Sequence, residues 1–502
     1  MAEPASQGSS LKWMVLLTVM VGTFLGRLDQ TIVNLALPKM IDDFGITVSA
    51  AGWIATAYIL ANAVFVPVWG KLGDSIGRKK VYIIGFIVFI IGSVLAGLAW
   101  SLPSMIVFRI IQAIAGSADY PTAMAILAVT FSQGKERAQA LGIWSASFAA
   151  ASVFGPLIGG PLIDNFGWRS VFLINLPVGL VGLFMAYKYV HESRAEQKKQ
   201  AFDWWGAMTL GVALASLVLV LDQGSTWGWL SWQSSLCYAA TVVFGLIFYR
   251  IERGHESPVV DFKFFKSAIF NSALINNFVV FMGMMGSIFL IPIFSQTFLG
   301  YYATQSGMLF IPMAFCMVAA AALGGRLVGK FSTRSVIFWS TLGAAAGLFL
   351  FSYIDPRSTA LAIIVPLSVM AAFMGFGMSQ RTNMIAEAVP KNEIGIASSI
   401  LALARNIAGA FGIALFGTLL NNLTERNVLA IAQNTVIHSL SPAIHGQVTG
   451  LIILKADVSA YGTVFLVSSL VVAFGALLVL FTKFPEKRTL KPGEERIEVM
   501  VE

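Results

Sequence analysis

Arg27 and Asp29 place two opposite charges inside an apolar segment that runs from Leu11 to Leu37. A charge in the hydrocarbon core of a bilayer is costly, so such residues pair with one another, face a water-filled cavity or lie on an ion pathway. A carboxylate at that depth would bind and release a proton as its hydration, or its distance to a cation, changes. Reversible proton binding is therefore the chemistry that these residues could do.

Arg109, in the fourth apolar segment, is a candidate partner for Asp29. Counted from Pro38 and Pro103 at 1.5 Å per residue, Asp29 lies about 13 Å and Arg109 about 9 Å below the same membrane surface. These depths allow the two side chains to touch. The pair either takes part in proton coupling or is a static ion pair that pins two helices, and the residues alone leave both open.

The elements that hold these charges are transmembrane helices. The chain is 57% hydrophobic and only 12% charged, and apolar runs of about 20 residues recur along its whole length. This pattern predicts an all-α membrane protein and excludes a soluble one. The runs predict fourteen spans, at 11–37, 51–72, 81–100, 104–131, 137–163, 169–189, 204–223, 234–250, 268–299, 304–329, 334–354, 361–387, 394–421 and 461–483.

The orientation of the spans follows from the 33 Lys and Arg residues, most of which fall in loops on one side if both termini are cytoplasmic. The net charge of +8 is then mainly a topology signal. It is not read as a nucleic-acid surface, and contact with anionic lipid of the inner leaflet is expected.

Three units divide the predicted chain. Residues 1–190 form a six-helix bundle, 191–267 contain cytoplasmic loops and two linker helices, and 268–502 form a second six-helix bundle with an outer loop at 422–460 and a cytoplasmic tail. "WGKLGDSIGRKK" and "LGGRLVGKFSTRS" follow the second helix of each bundle. This weak repeat favours two pseudo-symmetric bundles, an arrangement typical of secondary transporters.

The loop motif "GKLGDSIGRKK" lies between the second and third helices. Gly70, Gly73 and Gly77 allow close helix approach and a tight turn. Asp74 lies at the cytoplasmic end, and Arg78 belongs to a basic triplet that holds the turn inside. The alternative to a gating role is plain topology signalling.

The motif "GPLIGGP" lies in the fifth helix. Pro156 removes a backbone hydrogen bond, while Gly155, Gly159 and Gly160 remove side chains from the helix surface. The pattern predicts a kinked, closely packed helix that serves as a hinge or seal between the bundles. Simple packing of small residues is the alternative.

No catalytic or metal-binding set stands out. The sequence lacks H-E-x-x-H, a P-loop and G-x-S-x-G, which argues against an enzyme and against direct use of ATP. The four histidines lie in loops or at helix flanks without further ligands, so no metal site is expected. Cys237 and Cys316 are expected to be free thiols.

Four motifs together resemble those of the major facilitator superfamily, in particular its fourteen-helix drug:proton antiporter branch, which includes multidrug-efflux pumps. They are "LDQTIVNLALP", "GKLGDSIGRKK", "RIIQAIAGSADYP" and "GPLIGGP". The resemblance implies the major facilitator fold and a plasma-membrane antiporter that exports amphiphilic drugs, with protons as the coupling ion and no cofactor. It also implies proton coupling by Asp29 and Arg109, and an Asp74 charge contact that closes the inner face in one conformation. A monomer is expected.

Four further intramembrane charges are expected to face the substrate cavity: Arg27, Asp119, Arg381 and Arg405. Arg27 and Asp119 stand where the branch usually has uncharged residues. This excess of cations puts a purely cationic substrate in doubt and keeps open an exporter of an anionic, zwitterionic or lipid-like metabolite. In the alternative, Arg27 and Asp119 pair with each other or with backbone carbonyls. A membrane receptor or enzyme, facilitated diffusion and proton symport are less favoured.

Overall fold

The computed structural model describes residues 9–131, 135–193, 203–255, 260, 262–326, 331–387, 389, 394–433 and 442–480. Within these residues the ordered elements are helices, which satisfy every backbone hydrogen bond inside one segment and so suit a lipid environment. The α-helices are α1 (Ser9–Phe44), α2 (Val48–Ile76), α3 (Arg78–Gly97), α4 (Leu102–Gly116), α5 (Asp119–Thr130), α6 (Lys135–Phe166), α7 (Ser170–Leu173), α8 (Asn175–Tyr189), α9 (Trp204–Trp227), α10 (Trp232–Gly254), α11 (Ala268–Thr297), α12 (Ala303–Met308), α13 (Phe310–Arg326), α14 (Thr333–Phe351), α15 (Ala360–Glu387), α16 (Ile394–Gln433) and α17 (Pro442–Leu480).

Three pairs of these helices are single passes with a local irregularity. Ala118, Ile174 and Leu309, which separate α4 from α5, α7 from α8 and α12 from α13, keep right-handed helical torsions. Among the described residues the chain therefore makes fourteen passes, the number that the sequence predicts. Twelve segments are individually long and apolar enough to cross a membrane; the α4–α5 pass and α6 are the other two.

The passes pack as two bundles and a linker pair. In the N-terminal bundle, α1 packs on α6 and α8, and α4 packs on α2 and α3. In the C-terminal bundle, α11 packs on α16 and α17, and α15 packs on α13 and α14. The linker helices α9 and α10 pack on each other, and α9 also touches both α2 and α16. One linker helix therefore contacts both bundles.

The segment 422–460 differs from the outer loop that the sequence predicts. Helix α16 continues to Gln433 and α17 already begins at Pro442; residues 434–441 lie outside the described part of the chain. Thr424 donates to Asp457 at 2.9 Å and Asn427 donates to the Ala456 carbonyl at 3.3 Å. These bonds join the two helical extensions, which explains why polar residues form helix here.

Two faces of the molecule are named from the direction of α1. The amino-terminal face is the side on which α1 begins, and the opposite face is the side on which α1 ends and α2 begins. Near the opposite face, Gln296 of α11 donates to the Leu35 carbonyl of α1 at 2.9 Å. A side chain at Gly417 of α16 would come within 3.2 Å of the Ser49 Cα of α2. The two bundles are thus in close contact at this face.

Candidate functional site

Asp29 and Arg109 form an ion pair inside the N-terminal bundle. Arg109 Nη1 lies 2.6 Å from Asp29 Oδ2. Asp29 is 0% exposed and Arg109 is 1% exposed. The contact joins α1 to α4 across 80 residues of sequence. The structure thus brings together the two residues predicted to lie at matching depths.

Three polar residues complete the surroundings of the Asp29 carboxylate. Gln112 and Asn175 donate to its Oδ1 at 2.9 and 3.0 Å. Asn175 also donates to Ser93 at 2.8 Å, and Ser93 donates to the Phe172 carbonyl at 2.9 Å. The carboxylate therefore accepts from α4 and α8, and a hydrogen-bond chain continues to α3.

The Arg109 guanidinium has neutral partners as well. It donates to Gln112 Oε1 at 2.6 Å and to the Ile54 carbonyl at 3.3 Å. Its central carbon lies 4.1 Å from the centre of the Tyr58 ring and 5.7 Å from that of Phe172. A cation over an aromatic face is stabilised in a dry site, so the two rings help to hold the guanidinium in its orientation.

Local sequence explains how Gln112 reaches the pair. Gln112 is three residues after Arg109, and such residues lie on the same side of a helix. Gly92 of α3 has no side chain, and a Cβ there would come within 2.8 Å of the Gln112 backbone. Sequence reasoning missed Gln112 and Asn175. The three-residue spacing in "RIIQ" could have identified Gln112. Asn175 begins a different helix, α8, so no local spacing relates it to Asp29 or Arg109.

Asp119 lies in a second polar site of the same bundle. Thr23 donates to its Oδ2 at 2.8 Å, and Trp144 donates to Thr23 at 2.9 Å. The other oxygen, Oδ1, is buried without a hydrogen-bond partner. It faces a small space between α1, α3 and α4 that is lined by Gly22, Tyr82 and Phe86. This arrangement leaves one carboxylate oxygen available for a proton.

Arg27 is exposed on α1 and donates to Gln30 at 3.1 Å. It lies within electrostatic range of Asp119. That Arg27 lines the substrate cavity stays a prediction.

Arg381, which the sequence predicts to face the substrate cavity, is buried in this conformation. It is 2% exposed and lies inside the C-terminal bundle. Its guanidinium donates to Asn276 at 2.7 Å, Ser340 at 3.1 Å, Thr341 at 2.8 Å and the Met374 carbonyl at 3.2 Å. These acceptors from α11, α14 and α15 draw the side chain into the bundle because each satisfies a buried donor.

Arg405 of α16 is partly exposed. It donates to Asn277 at 3.2 Å through Nη2, and its guanidinium lies 4.9 Å from the centre of the Phe281 ring. Asn276 and Asn277 are neighbours on α11 but accept from different arginines. Arg381 is therefore held in the bundle interior, while Arg405 is held by Asn277 and keeps part of its surface exposed.

The gating motif forms the turn between α2 and α3 on the amino-terminal face. Gly77 has φ of 120°, a conformation that favours glycine. Glu192, which follows α8, accepts from the backbone N–H groups of Lys79 at 3.1 Å and Lys80 at 3.2 Å. A carboxylate at the N-terminus of a helix is stabilising, so Glu192 fixes this turn. Sequence reasoning missed it.

The remaining motif residues are described in part. Gly73 packs against Thr122 of α5, and Arg78 donates its backbone N–H to the Ser193 carbonyl at 3.0 Å. Gly70 and Asp74 belong to α2, but the surroundings of Gly70 and of the Asp74 side chain lie outside what the structure describes. The gating role of Asp74 stays a prediction.

The motif of the fifth pass lies in α6, at the contact between the bundles. A Cβ at Gly155 would overlap Thr31 of α1, and a Cβ at Gly160 would overlap the Thr304 backbone of α12. A Cβ at Gly307 of α12 would lie 2.9 Å from the Pro156 carbonyl oxygen. The missing side chains therefore let α6 touch both bundles.

Gly159 and Asp164 extend this contact. A Cβ at Gly159 would lie 2.9 Å from Ile32. Asp164 accepts from the backbone N–H groups of Ala303 and Thr304, each at 2.9 Å. The Thr304 hydroxyl also donates to Asp164 Oδ2, at 2.6 Å. Sequence reasoning missed this link between bundles, because two of its three donors are backbone groups.

The chain matches the family model described as the Major Facilitator Superfamily over residues 19–413. It is 33% identical to the multidrug transporter protein MdtP of Bacillus subtilis, covering 83% of this chain and 77% of that protein. It is 28% identical to the tetracenomycin C resistance and export protein of Streptomyces glaucescens, covering 98% and 95%.

Solved structures share the fold. A bacterial homologue of the human lysosomal transporter Spinster, in an inward-facing and occupied conformation, aligns with a TM-score of 0.70. The two chains are 16% identical, and the alignment covers 95% of this chain and 97% of the other.

Proposed function

The chain belongs to the Major Facilitator Superfamily, and we propose that it is a proton-coupled antiporter that exports amphiphilic drugs by alternating access. It is a multi-pass membrane transporter and not an enzyme. The buried pair of Asp29 and Arg109 is the observation that carries the proposal, because it supplies a membrane carboxylate beside a fixed cation. Relatives named multidrug transporters and resistance proteins support the direction of transport and the substrate class.

In the proposed mechanism, Asp29 is charged while Arg109, Gln112 and Asn175 donate to it. A rearrangement that hydrates this site or lengthens the contact with Arg109 lets Asp29 take a proton. Protonation removes the partner charge of Arg109, which changes the balance between the two bundle arrangements. Substrate and proton then compete for the binding-competent state.

We place both termini in the cytoplasm and the protein in the plasma membrane, on the distribution of Lys and Arg. The amino-terminal face is then cytoplasmic, and the close contacts of the bundles lie on the outer side. In this assignment the protein acts as a monomer, binds a small amphiphilic substrate from the lipid or cytoplasm, and needs no cofactor besides the coupling protons.

A second candidate is export of an anionic or zwitterionic metabolite. Arg27 is exposed and Arg405 is partly exposed, and either guanidinium would attract a negative group. Tetraphenylphosphonium and tetraphenylborate have the same shape and opposite charge, so their binding to purified protein, measured by thermal shift, separates the two candidates. Arg27→Gln should weaken binding of the anion and spare that of the cation if the second candidate is correct.

The experiment that tests the proposal measures transport of ethidium in proteoliposomes under an imposed pH gradient. We expect accumulation that stops when an ionophore collapses the gradient, and counterflow of protons when substrate is added. Accumulation at full rate without any ion gradient would show that proton coupling is wrong.

A further inference from the structure

Asp222 is a buried carboxylate on the linker helix α9 and belongs to none of the motifs described above. It is 4% exposed. Its oxygens accept from side chains on three different helices, and each donor is neutral. The donors are Ser49 and Trp53 of α2, Thr418 of α16 and the neighbouring Gln223 of α9.

The geometry of this cluster joins both bundles through one carboxylate. Trp53 Nε1 lies 2.6 Å from Oδ2 and Gln223 Nε2 lies 2.7 Å from the same oxygen. Ser49 donates to Oδ1, and Thr418 donates to that oxygen at 3.3 Å. A carboxylate offers two acceptor oxygens where an amide offers one, so Asp222 can hold donors of α2 and α16 together as an amide could not.

The cluster lies where the bundles meet at the opposite face. Ser49 and Trp53 are in the first two turns of α2, and Asp222 is near the end of α9. A Cβ at Gly52 would lie 3.2 Å from the Ile413 side chain of α16, so α16 packs directly on the backbone of α2 here. Apolar contacts of Leu60 and Val218 with Ala410 and Ala414 continue the same three-helix seam toward the membrane centre.

We propose that Asp222 makes α9 a state-dependent clasp, which stabilises the arrangement in which the opposite face is closed. When the bundles separate at this face, the donors on α2 and α16 move apart and the carboxylate cannot follow both. It then loses donors while still partly buried, which penalises the open state. The linker pair thereby takes part in the transport cycle and is more than a spacer between bundles.

This inference rests on the alternating movement in the proposed function but not on proton coupling or on the substrate. The two can therefore fail separately. If no ligand or pH change moves the bundles in the wild type, alternating access itself is in doubt. If the wild type moves but substitution of Asp222 has no effect, only the clasp is wrong.

The test is a distance measurement by pulsed electron paramagnetic resonance on the full chain in nanodiscs. Spin labels attach through Trp100→Cys and Tyr353→Cys, at exposed positions of the N- and C-terminal bundles on the opposite face, after Cys237→Ala and Cys316→Ala. Asp222→Asn keeps the size of the side chain but removes its charge. We expect the ratio of open to closed populations to rise at least tenfold.

Asp203→Asn is the matched control. Asp203 begins the same helix and is 3% exposed, and it accepts from the backbone N–H of Gly206 at 2.6 Å. Asparagine caps helices as well as aspartate does, so this variant should leave the distance distribution unchanged. An equal shift in both variants would overturn the clasp, since it would report a general effect on α9.

Thr418→Val decides the matter if Asp222→Asn fails to fold. It removes only the donor from the C-terminal bundle and keeps the side-chain shape, so we expect a smaller shift in the same direction, about threefold. A distance distribution identical to that of the wild type in a folded Asp222→Asn protein overturns the proposal. If only Thr418→Val folds, an unchanged distribution there does the same.

Discussion

The two bundles each bury an arginine among polar groups, but they surround it differently. Arg109 in the N-terminal bundle is 1% exposed and meets the carboxylate of Asp29. Arg381 in the C-terminal bundle is 2% exposed and donates to an amide, two hydroxyls and a carbonyl. A carboxylate can change its charge by binding a proton, and the neutral acceptors cannot. We therefore propose that the exchangeable proton belongs to the N-terminal bundle, where the arginine has a carboxylate partner, and that the arginine site of the C-terminal bundle is structural.

The comparison also shows why partial symmetry does not duplicate chemistry. Asn276 is the amide nearest to Arg381, and it uses its own Nδ2 to donate to Thr341 at 3.1 Å and to the Gly475 carbonyl at 3.2 Å. A carboxylate in its place would lose these bonds. The Asn276 side chain of α11 thus joins α14, α15 and α17 to its own helix.

The largest effect is expected for Asp29→Asn. The amide keeps the volume of the side chain but cannot cycle a charge, so proton-driven accumulation should fall by about 100-fold or more, while substrate exchange persists. Transport in proteoliposomes measures both. Asp43→Asn is the control, because Asp43 is on the same helix but pairs with Arg169 in an exposed site. Normal proton release on substrate addition to Asp29→Asn would remove Asp29 from the coupling role.

Arg381→Gln should act on stability rather than on coupling. The shorter neutral side chain leaves buried acceptors unsatisfied, and we expect a loss of about 3 kcal/mol in the free energy of unfolding. Unfolding in detergent measures this loss, and Arg381→Lys should lose less because it keeps the charge. The number of protons released per substrate should not change. If Arg381→Gln had normal stability but altered proton release, the C-terminal bundle would have to be the one that couples to protons.

Asn276→Asp gives the C-terminal arginine the partner that its counterpart has. A buried cation gains from an adjacent carboxylate, whereas two donor bonds of the amide are lost, so the net change should be within about 1 kcal/mol. Proton release on substrate addition, measured in weakly buffered detergent solution, should remain at the wild-type value. A second released proton would show that the C-terminal bundle also moves between hydration states.

Asp119→Asn is expected to have the smallest effect. One oxygen of Asp119 is buried without a partner, so neutralising the residue should stabilise the protein by about 1 kcal/mol. If Asp119 also faces the substrate, binding of tetraphenylphosphonium should weaken and that of tetraphenylborate should not. Thr23→Val serves as a comparison, since it removes the hydrogen bond and keeps the charge. Strong destabilisation by Asp119→Asn would contradict this account of the site.

Sequence reasoning recovers features that depend only on depth along the membrane normal. Hydropathy gives the fourteen passes, and counting residues from Pro38 and Pro103 puts Asp29 and Arg109 at similar depths. It does not give the rotation of one helix about its axis, which decides whether Arg381 points to a cavity or into its bundle. Neutral partners such as Asn175 leave no trace in a hydropathy or charge pattern.

Links between distant elements are the other part that the sequence leaves out. Asp222 and Thr418 are 196 residues apart. Asp164 is bound by one hydroxyl and by two backbone N–H groups, which every residue other than proline carries. Neither contact has a composition signal. Both become visible only when the packing of α9 and α6 against the second bundle is known.

The helical extension of α16 and α17 has a practical consequence for imaging. Helix α16 has 40 residues, so it is about 60 Å long and exceeds the hydrocarbon thickness of a bilayer about twofold. Gln433 lies fifteen residues beyond Thr418, which projects it about 22 Å past the level of the Asp222 clasp. Transporters with little mass outside the micelle are difficult to align in cryo-electron micrographs. The two paired extensions are continuous with helices of the C-terminal bundle. They offer an epitope for an antibody fragment that would serve as a fiducial marker and report the tilt of that bundle directly.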